Sequence, residues 1–446
     1  MKWLLSIVAI IVLAGLAYGQ WVLPGQVEES INVKLPHEPY DVGERARRLH
    51  ESLFVADLHA DSLLWKRDLR KRSDVGHLDL PRLREGNVAL QVFSATTKSP
   101  EGQNYERNDA GSDRITLLAV ASLWPARTWN SIYERAVYQL EKLHRLAADT
   151  ELTVIGSRHE LRDFIASRER GEPGIAALYL IEGAHPLEGD LGKLDALYAD
   201  GLRIAGLTHF FDNELGGSLH GNSGAGLTEF GRSVVRRADE LGIIIDIAHA
   251  SPAMVEDVLA LTGRPVILSH GGLRGHCDTA RNLDDALMRD VADRGGLVGI
   301  GYWDAAVCDV SPAGVVKAIR YAIDLLGAEH VALGSDYDGA IAVSFDAGEL
   351  AVLTHEMLEA GFSEREIRLV MGENVKRFLL EKSPQAQFLI PMGVSLGFGI
   401  LISGFMVLFV TPAVAVIFED LRERVGAGAE PSAAGAIPGD SRAGTA

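Results

Sequence analysis

Six short apolar runs of this chain end on residues that can bind a cation or move a proton. The first leads into Asp57-Leu58-His59-Ala60-Asp61, where His59 and Asp61 stand two apart and face the same way on an extended chain. Later runs end on Glu182, His209, His249 and His270, and the last on Asp336 and Asp338. A lone histidine at such a place is more often a satisfied, partly buried side chain than a ligand, and a lone Glu182 could be an ordinary loop carboxylate. The coincidence carries the argument. Gathering so many ionisable groups in one buried place without a cation is very costly. A divalent metal resolves that cost, and an N/O donor set without thiolate suits zinc, with manganese or cobalt as other choices. A carboxylate such as Glu182 can bridge, so two metals fit better than one. Two ions about 3.5–4 Å apart can share a hydroxide and clamp a hydrolytic transition state.

These side chains converge only if the elements carrying them do. Eight β-branched or apolar runs alternate with helical stretches, at residues 53–57, 88–94, 175–181, 203–208, 243–248, 265–269, 297–302 and 330–334. Most are continuous rather than alternating, as in parallel strands buried on both faces. Residues 228–241 read as a helix that Thr228 caps and Gly242 ends. Residues 283–294 and 315–326 behave similarly, and the long connection after the second strand is expected to hold helices at 130–148 and 159–168 around an extended piece at 152–155. Eight strands alternating with helices predict an α/β fold, a (β/α)8 TIM-type barrel, whose C-terminal face would carry all the residues above. An open doubly wound sheet is the alternative, weakened because no Gly-rich dinucleotide fingerprint follows the first strand.

The 446 residues suffice for such a barrel, and 47% hydrophobic content allows a large core. The formal charge of −18 argues against nucleic-acid binding, which needs a basic footprint. Two cysteines, Cys277 and Cys308, are too few for a disulfide scaffold or a four-cysteine zinc site. Residues 3–19 are apolar behind Lys2 and read as a secretory signal or an uncleaved N-terminal membrane anchor, so that residues 1–23 form one segment. Residues 24–42 are expected to be a linker and 43–383 the barrel. From Ser383 to Phe418 no residue is charged, which predicts a C-terminal transmembrane helix over 388–418 and contact with the lipid bilayer. Residues 419–446, ending in Ala-, Gly- and Pro-rich sequence, are expected to be a disordered tail. Either reading of the N-terminus exports the barrel, giving a membrane-anchored protein whose catalytic domain is periplasmic or extracytoplasmic.

Several long motifs stand in one order: "ADLHADSL", "GHLDLPRLREGNVALQVFS", "LIEGAH", "LTHFFDNELGGSLHG", "GLTEFGRSVVRRADELGIIIDIAHAS", "VILSHGG", "CDTARNLDD" and "ALGSDYDG". On these, residues 43–383 resemble the membrane (renal) dipeptidase family, peptidase family M19. The resemblance implies that His59 and Asp61 bind one zinc, that Glu182 bridges, and that His249 and His270 bind the second. It implies Asp336 as the catalytic aspartate, His209 as the histidine that polarises the substrate, and Arg281 as the arginine that holds the substrate carboxylate. The sequence departs at "SHGG", where many members carry Ser or Asn after the histidine. Separately, "FLIPMGVSLGFGILISGFMVLFVTPAVAVIFEDLRERV" resembles the last membrane helix of resistance-nodulation-division efflux transporters, over about 40 residues and without their transport machinery.

The implied reaction is hydrolysis of the single peptide bond of a dipeptide by a hydroxide held between two zinc ions, with C-terminal D-residues admitted. Cys277 and Cys308 follow adjacent predicted strands, so a disulfide is expected in an exported domain. Family members are often dimers, which implies a homodimer here. Two rivals remain: a related binuclear hydrolase of cyclic amides, β-lactams or phosphoesters, and a non-catalytic, membrane-tethered binding protein.

Overall fold

A computed structural model describes residues 22–380 continuously, 411–426, and the isolated positions 3, 6, 15, 18–20 and 408. The chain divides into two units, Met1–Pro384 and Gln385–Ala446. In the first, eight parallel strands close on themselves: β1 (Val55–Asp57), β2 (Val88–Thr96), β3 (Ile175–Glu182), β4 (Leu202–Gly206), β5 (Ile244–Asp246), β6 (Ile267–Gly271), β7 (Leu297–Ile300) and β8 (Val331–Leu333). Consecutive strands pair, and β8 returns to β1, so the expected barrel is the observed one. The extended piece after β2 is a short outer strand, Leu152–Val154, pairing with the first residues of β3.

Side-chain parity organises the core. Ala56, Leu90, Val92, Ala176, Leu178, Leu180, Ile204 and Ala332 form one buried cluster with Val375 of the helix Asn374–Leu380. Their neighbours Val55, Phe93, Ala177, Tyr179, Ile181 and Leu333 belong to a second cluster with the helices. Tyr179 donates its hydroxyl to the Ala136 carbonyl of the helix Ile132–Ala148 at 2.6 Å. Alternation therefore divides each strand between the barrel interior and the helical layer. Glu182 shares the parity of Leu178 and Leu180 and caps the interior at its C-terminal end.

The helices start where hydroxyl caps stand. Thr228 accepts from Gly231 N at 3.0 Å before Glu229–Leu241, and Gly242 ends that helix at φ +80°. Ser131 and Ser311 cap Ile132–Ala148 and Pro312–Leu326 in the same way. The helix expected at 159–168 spans Arg158–Glu169.

Three expectations are corrected. Residues 24–42 are more than a linker. They carry α1 (Leu23–Ile31) and a strand, Val33–Lys34, paired in parallel with Ala342–Val343. Pro24 opens α1, and Val27 and Ile31, one turn apart, pack on a small apolar cluster made by Leu64, Trp65 and Ile115. The long connection after β2 holds a further helix, α2 (Arg114–Ala121), capped by Asp113, which accepts from Ile115 N at 3.0 Å. In the second unit a helix, Thr411–Gly426, runs through the junction placed at 418, so residues 419–426 are helical rather than the start of a disordered tail. The sequence sets Glu419 and Asp420 three and four residues before Arg422 and Arg424, a spacing that supports a helix. Most of the expected transmembrane stretch 388–418, and most of residues 1–23, lie outside the described residues. Among the described residues no helix is long and apolar enough to cross a membrane.

Cys277 and Cys308 are disulfide-bonded, 31 residues apart in sequence. The bridge joins the loop after β6 to the loop after β7. Replacing both cysteines by alanine is expected to lower stability by about 2–4 kcal/mol, the entropy of a loop of that size. The denaturant midpoint of the oxidised protein against the double variant measures it.

Candidate active site

Seven of the predicted residues meet at the C-terminal mouth of the barrel. The Glu182 carboxylate is their centre: its Oε1 lies 3.6 Å from His59 Nε2, 3.2 Å from His249 Nε2 and 3.4 Å from His270 Nε2, and its Oε2 lies 3.4 Å from His209 Nε2. His59 Nε2 is also 3.7 Å from Asp61 Oδ2 and 3.8 Å from Asp336 Oδ1. Three overlapping groups have the geometry to hold a cation: His59-Asp61-Glu182, His59-His270-Asp336 and Glu182-His209-His249. His59 and Glu182 each belong to two of them, and of the two only the carboxylate has two oxygens to share.

The donor atoms fit metal ions. His59 Nε2 is buried without a hydrogen-bond partner. The Nε2 atoms of His249 and His270 face each other at 3.0 Å. Burial, and then the positive charges of neighbours such as Arg281 and His59, hold both rings well below the usual histidine range, leaving them neutral as ligands must be. For His59, burial alone would lower the pKa, but Glu182, Asp61 and Asp336 outweigh it and raise the value to about 10. This ring sits where a positive charge is strongly favoured.

Two buried aspartates build the frame. Strands β8 and β1 share a single residue pair, Leu333 with Asp57, and β5 and β6 share only Asp246 with Ile267. At the first seam Asp57 accepts from His59 N at 3.0 Å, Ser335 N at 2.9 Å and Ser335 Oγ at 3.0 Å. At the second, Asp246 accepts from Ala248 N at 3.0 Å, Ser269 N at 2.9 Å and Ser269 Oγ at 2.6 Å. Carboxylates thus replace missing ladder bonds where the ligand strands meet. Because Ser269 gives its proton to Asp246, its oxygen accepts from His270 Nδ1 at 2.9 Å, which leaves His270 Nε2 as the lone-pair nitrogen.

The backbone is strained at the chemistry. His249 and Asp336 adopt left-handed φ values of 62° and 60°. A side chain on Gly339 would collide with the Asp336 carboxylate, which accounts for the last glycine of "GSDYDG". Asp338, also at the end of β8, does not join the metal-ligand groups. Arg67, Ser62 Oγ and His77 N engage its carboxylate instead.

Arg281 is fully buried and donates through Nη2 to the His270 carbonyl at 2.7 Å. Its guanidinium lies 5.4 Å from the Trp303 ring centroid, and its Nε has no partner. A Cβ on Gly271 would come within 3.3 Å of Arg281 Nη1, so the departure at "SHGG" makes room for the arginine. Asp336, His209 and Arg281 open with Glu182 and Asp61 onto a cavity of about 360 Å³.

Some contributors escaped the sequence reading. Thr96 Oγ1 sits 3.0 Å from Asp61 Oδ1 and 2.8 Å from Glu182 Oε2. It is the last residue of β2, two beyond the predicted end of that strand. Tyr105 and the apolar lining from α1 and α2 come from segments without periodic signal.

An eight-stranded parallel barrel whose rim gathers histidines and carboxylates is the architecture of a metal-dependent hydrolase. Residues 43–387 match the model of the membrane dipeptidase family, peptidase family M19. The chain belongs to this family of metallo-dipeptidases. It is 27% identical over 316 residues to dipeptidase verJ of Clonostachys rogersoniana, covering 68% of this chain and 76% of that protein. Among solved structures it resembles the probable dipeptidase PvdM of Pseudomonas aeruginosa, with a TM-score of 0.65 and 21% identity over 77% of this chain and 99% of that one. It also resembles a metallo peptidase of Rhodobacter sphaeroides liganded with a phosphinate mimic of L-Ala-D-Ala, with a TM-score of 0.58 and 24% identity over 73% and 98%. The family match ends at residue 387 and lends no support to the transporter-helix resemblance of the segment beyond it.

Thr96→Val should free Asp61 and Glu182 to turn and weaken metal binding about 10–100-fold, the usual loss when a residue supporting metal ligands is removed. Competition against a chromogenic chelator measures it.

Proposed function

We propose that this protein hydrolyses the single peptide bond of dipeptides with two zinc ions held at the barrel mouth. His59 and Asp61 would hold one ion, His249 and His270 the other, and Glu182 would bridge them. Bound there, the ions would lower the pKa of water and polarise the scissile carbonyl. The observation that carries the substrate assignment is Arg281: a buried cation with an unpartnered Nε, opening on the same cavity as the metal ligands. A free α-carboxylate satisfies such a group through charge-assisted hydrogen bonds, and only a substrate ending one residue past the scissile bond presents it there.

The other side chains have matching roles. Burial, reinforced by Asp61 and Glu182 against the pull of His59 and Arg281, pushes Asp336 well above the usual carboxylate range. A carboxyl so placed takes the proton from attacking water and passes it to the leaving amine. His209 Nε2, 3.4 Å from Glu182 Oε2, would donate to the developing oxyanion. Small Gly271 beside Arg281, and the ligand carried by the Rhodobacter sphaeroides structure, support admission of a C-terminal D-residue. The Cys277–Cys308 bridge supports an oxidising compartment, and with the apolar segment at 3–19 it supports export and anchoring at a membrane. The family resemblance supports a homodimer. A hydrolase of cyclic amides or phosphoesters that lack a free carboxylate would leave the pairing of Arg281 with the ligand set unexplained, and a binding protein would show no chelator-sensitive turnover.

The purified protein should release amino acids from dipeptides, lose the activity to a chelator and regain it with zinc. Arg281→Ala should raise KM for dipeptides about 10–100-fold, the worth of a charged hydrogen bond; an unchanged KM would sink the assignment. Asp336→Asn should lower kcat about 10²–10⁴-fold, as loss of a general acid–base does. Steady-state kinetics with metal content measured on the same samples separates that loss from loss of metal.

A further inference from the structure

We propose that α1 walls the subsite for the side chain of the dipeptide's amino-terminal residue, and that this subsite selects apolar side chains. The proposal rests on the dipeptidase reading. It concerns a part of the chain that precedes residue 43, where the family match begins.

α1 is fastened to the active-site rim. Glu28 is only 3% exposed and accepts from Arg67 Nε at 2.6 Å, while the same guanidinium holds the Asp338 carboxylate. Asn32 Oδ1 accepts from Ala340 N at 2.8 Å, and Val33 pairs with Ala342 just beyond. These contacts tie α1 to the loop that carries Asp336. Val27 and Ile31 then line the cavity together with Leu64, Ile115 and Leu118. Trp65 lines it too, and its Nε1–H is engaged by the Asp338 carbonyl at 2.8 Å, so it has no N–H left to offer a substrate. Ser99, Gln103, Asn104 and Arg114 line the cavity as well, but Val27 and Ile31 and the side chains they pack with, Leu64, Trp65, Ile115 and Leu118, form one apolar cluster on its wall.

Strand order sets the direction. The residues of the apolar wall other than those of α1 come from segments following β1 and β2. Arg281 follows β6, which is separated from β1 by β7 and β8 on one side and from β2 by β3, β4 and β5 on the other. The wall therefore stands across the metal ligands from the arginine. A dipeptide with its carboxylate on Arg281 and its peptide bond over Glu182 directs its first side chain at Val27 and Ile31.

The test uses the full chain and five dipeptides: Leu-Ala, Gly-Ala, Glu-Ala, Ala-Leu and Ala-Gly. In V27A/I31A the kcat/KM ratio of Leu-Ala over Gly-Ala should fall about 10-fold or more, the scale of lost apolar pocket contacts, while Ala-Leu over Ala-Gly holds. Ile31→Lys should lower Leu-Ala and raise Glu-Ala relative to Gly-Ala, a gain that a merely structural role cannot give. Equal change in both ratios, no change in either, or a uniform loss on every substrate in both variants would overturn the proposal. Wild-type protein that cleaves no dipeptide would defeat the dipeptidase reading itself, whereas active wild-type protein with unmoved ratios would defeat only the wall.

Discussion

One carboxylate organises this molecule. Glu182 reaches four imidazole nitrogens within 3.6 Å, and those rings arrive from four other strands or the loops after them. No other side chain of the described site touches so many elements. Its place follows from parity, because the residues two and four before it fill the barrel interior. Four imidazoles around one buried carboxylate make a poor structural core and a good cation trap. The neighbouring features serve that arrangement: the Ser269 relay that fixes the His270 tautomer, the Thr96 hydroxyl between two carboxylates, and the aspartates beneath.

Those aspartates show what function costs the sheet. The barrel is thinnest at β8/β1 and β5/β6, each with one residue pair. His59 and Asp336 leave from the first seam, His249 and His270 from the second. Strands that must splay to aim side chains inward cannot also keep a full ladder. Asp57 and Asp246 fill the gaps with side-chain acceptors, and burial pushes both carboxyl groups above their usual range.

Much of this was legible beforehand, for physical reasons. Continuous apolar runs mark strands buried on both faces, and eight of them close a barrel, so the rim residues followed from where each run stopped. Boundaries were less legible. The fifth strand ends at Asp246, and His249 is presented from a left-handed turn that no hydropathy pattern encodes. His270 lies within β6, not after it, because the strand starts and ends two residues later than its apolar run. Asp338 carries the same polar signal as Asp336 but faces Arg67, and only the fold distinguishes them. Residues 24–42 look like a linker because their pattern is short; the helix there depends on packing against α2 and the β8 loop, contacts distant in sequence.

The left-handed residues at His249 and Asp336 have a further consequence. Each holds a conformation that costs on the order of 1–3 kcal/mol and that glycine would adopt freely. Stability and turnover therefore pull these two positions in opposite directions. Selection for heat resistance alone would drift toward glycine there and yield a sturdier barrel without the imidazole and the carboxyl that the proposed hydrolysis uses. A relative bearing glycine at either place would best be read as a scaffold that has given up its enzyme.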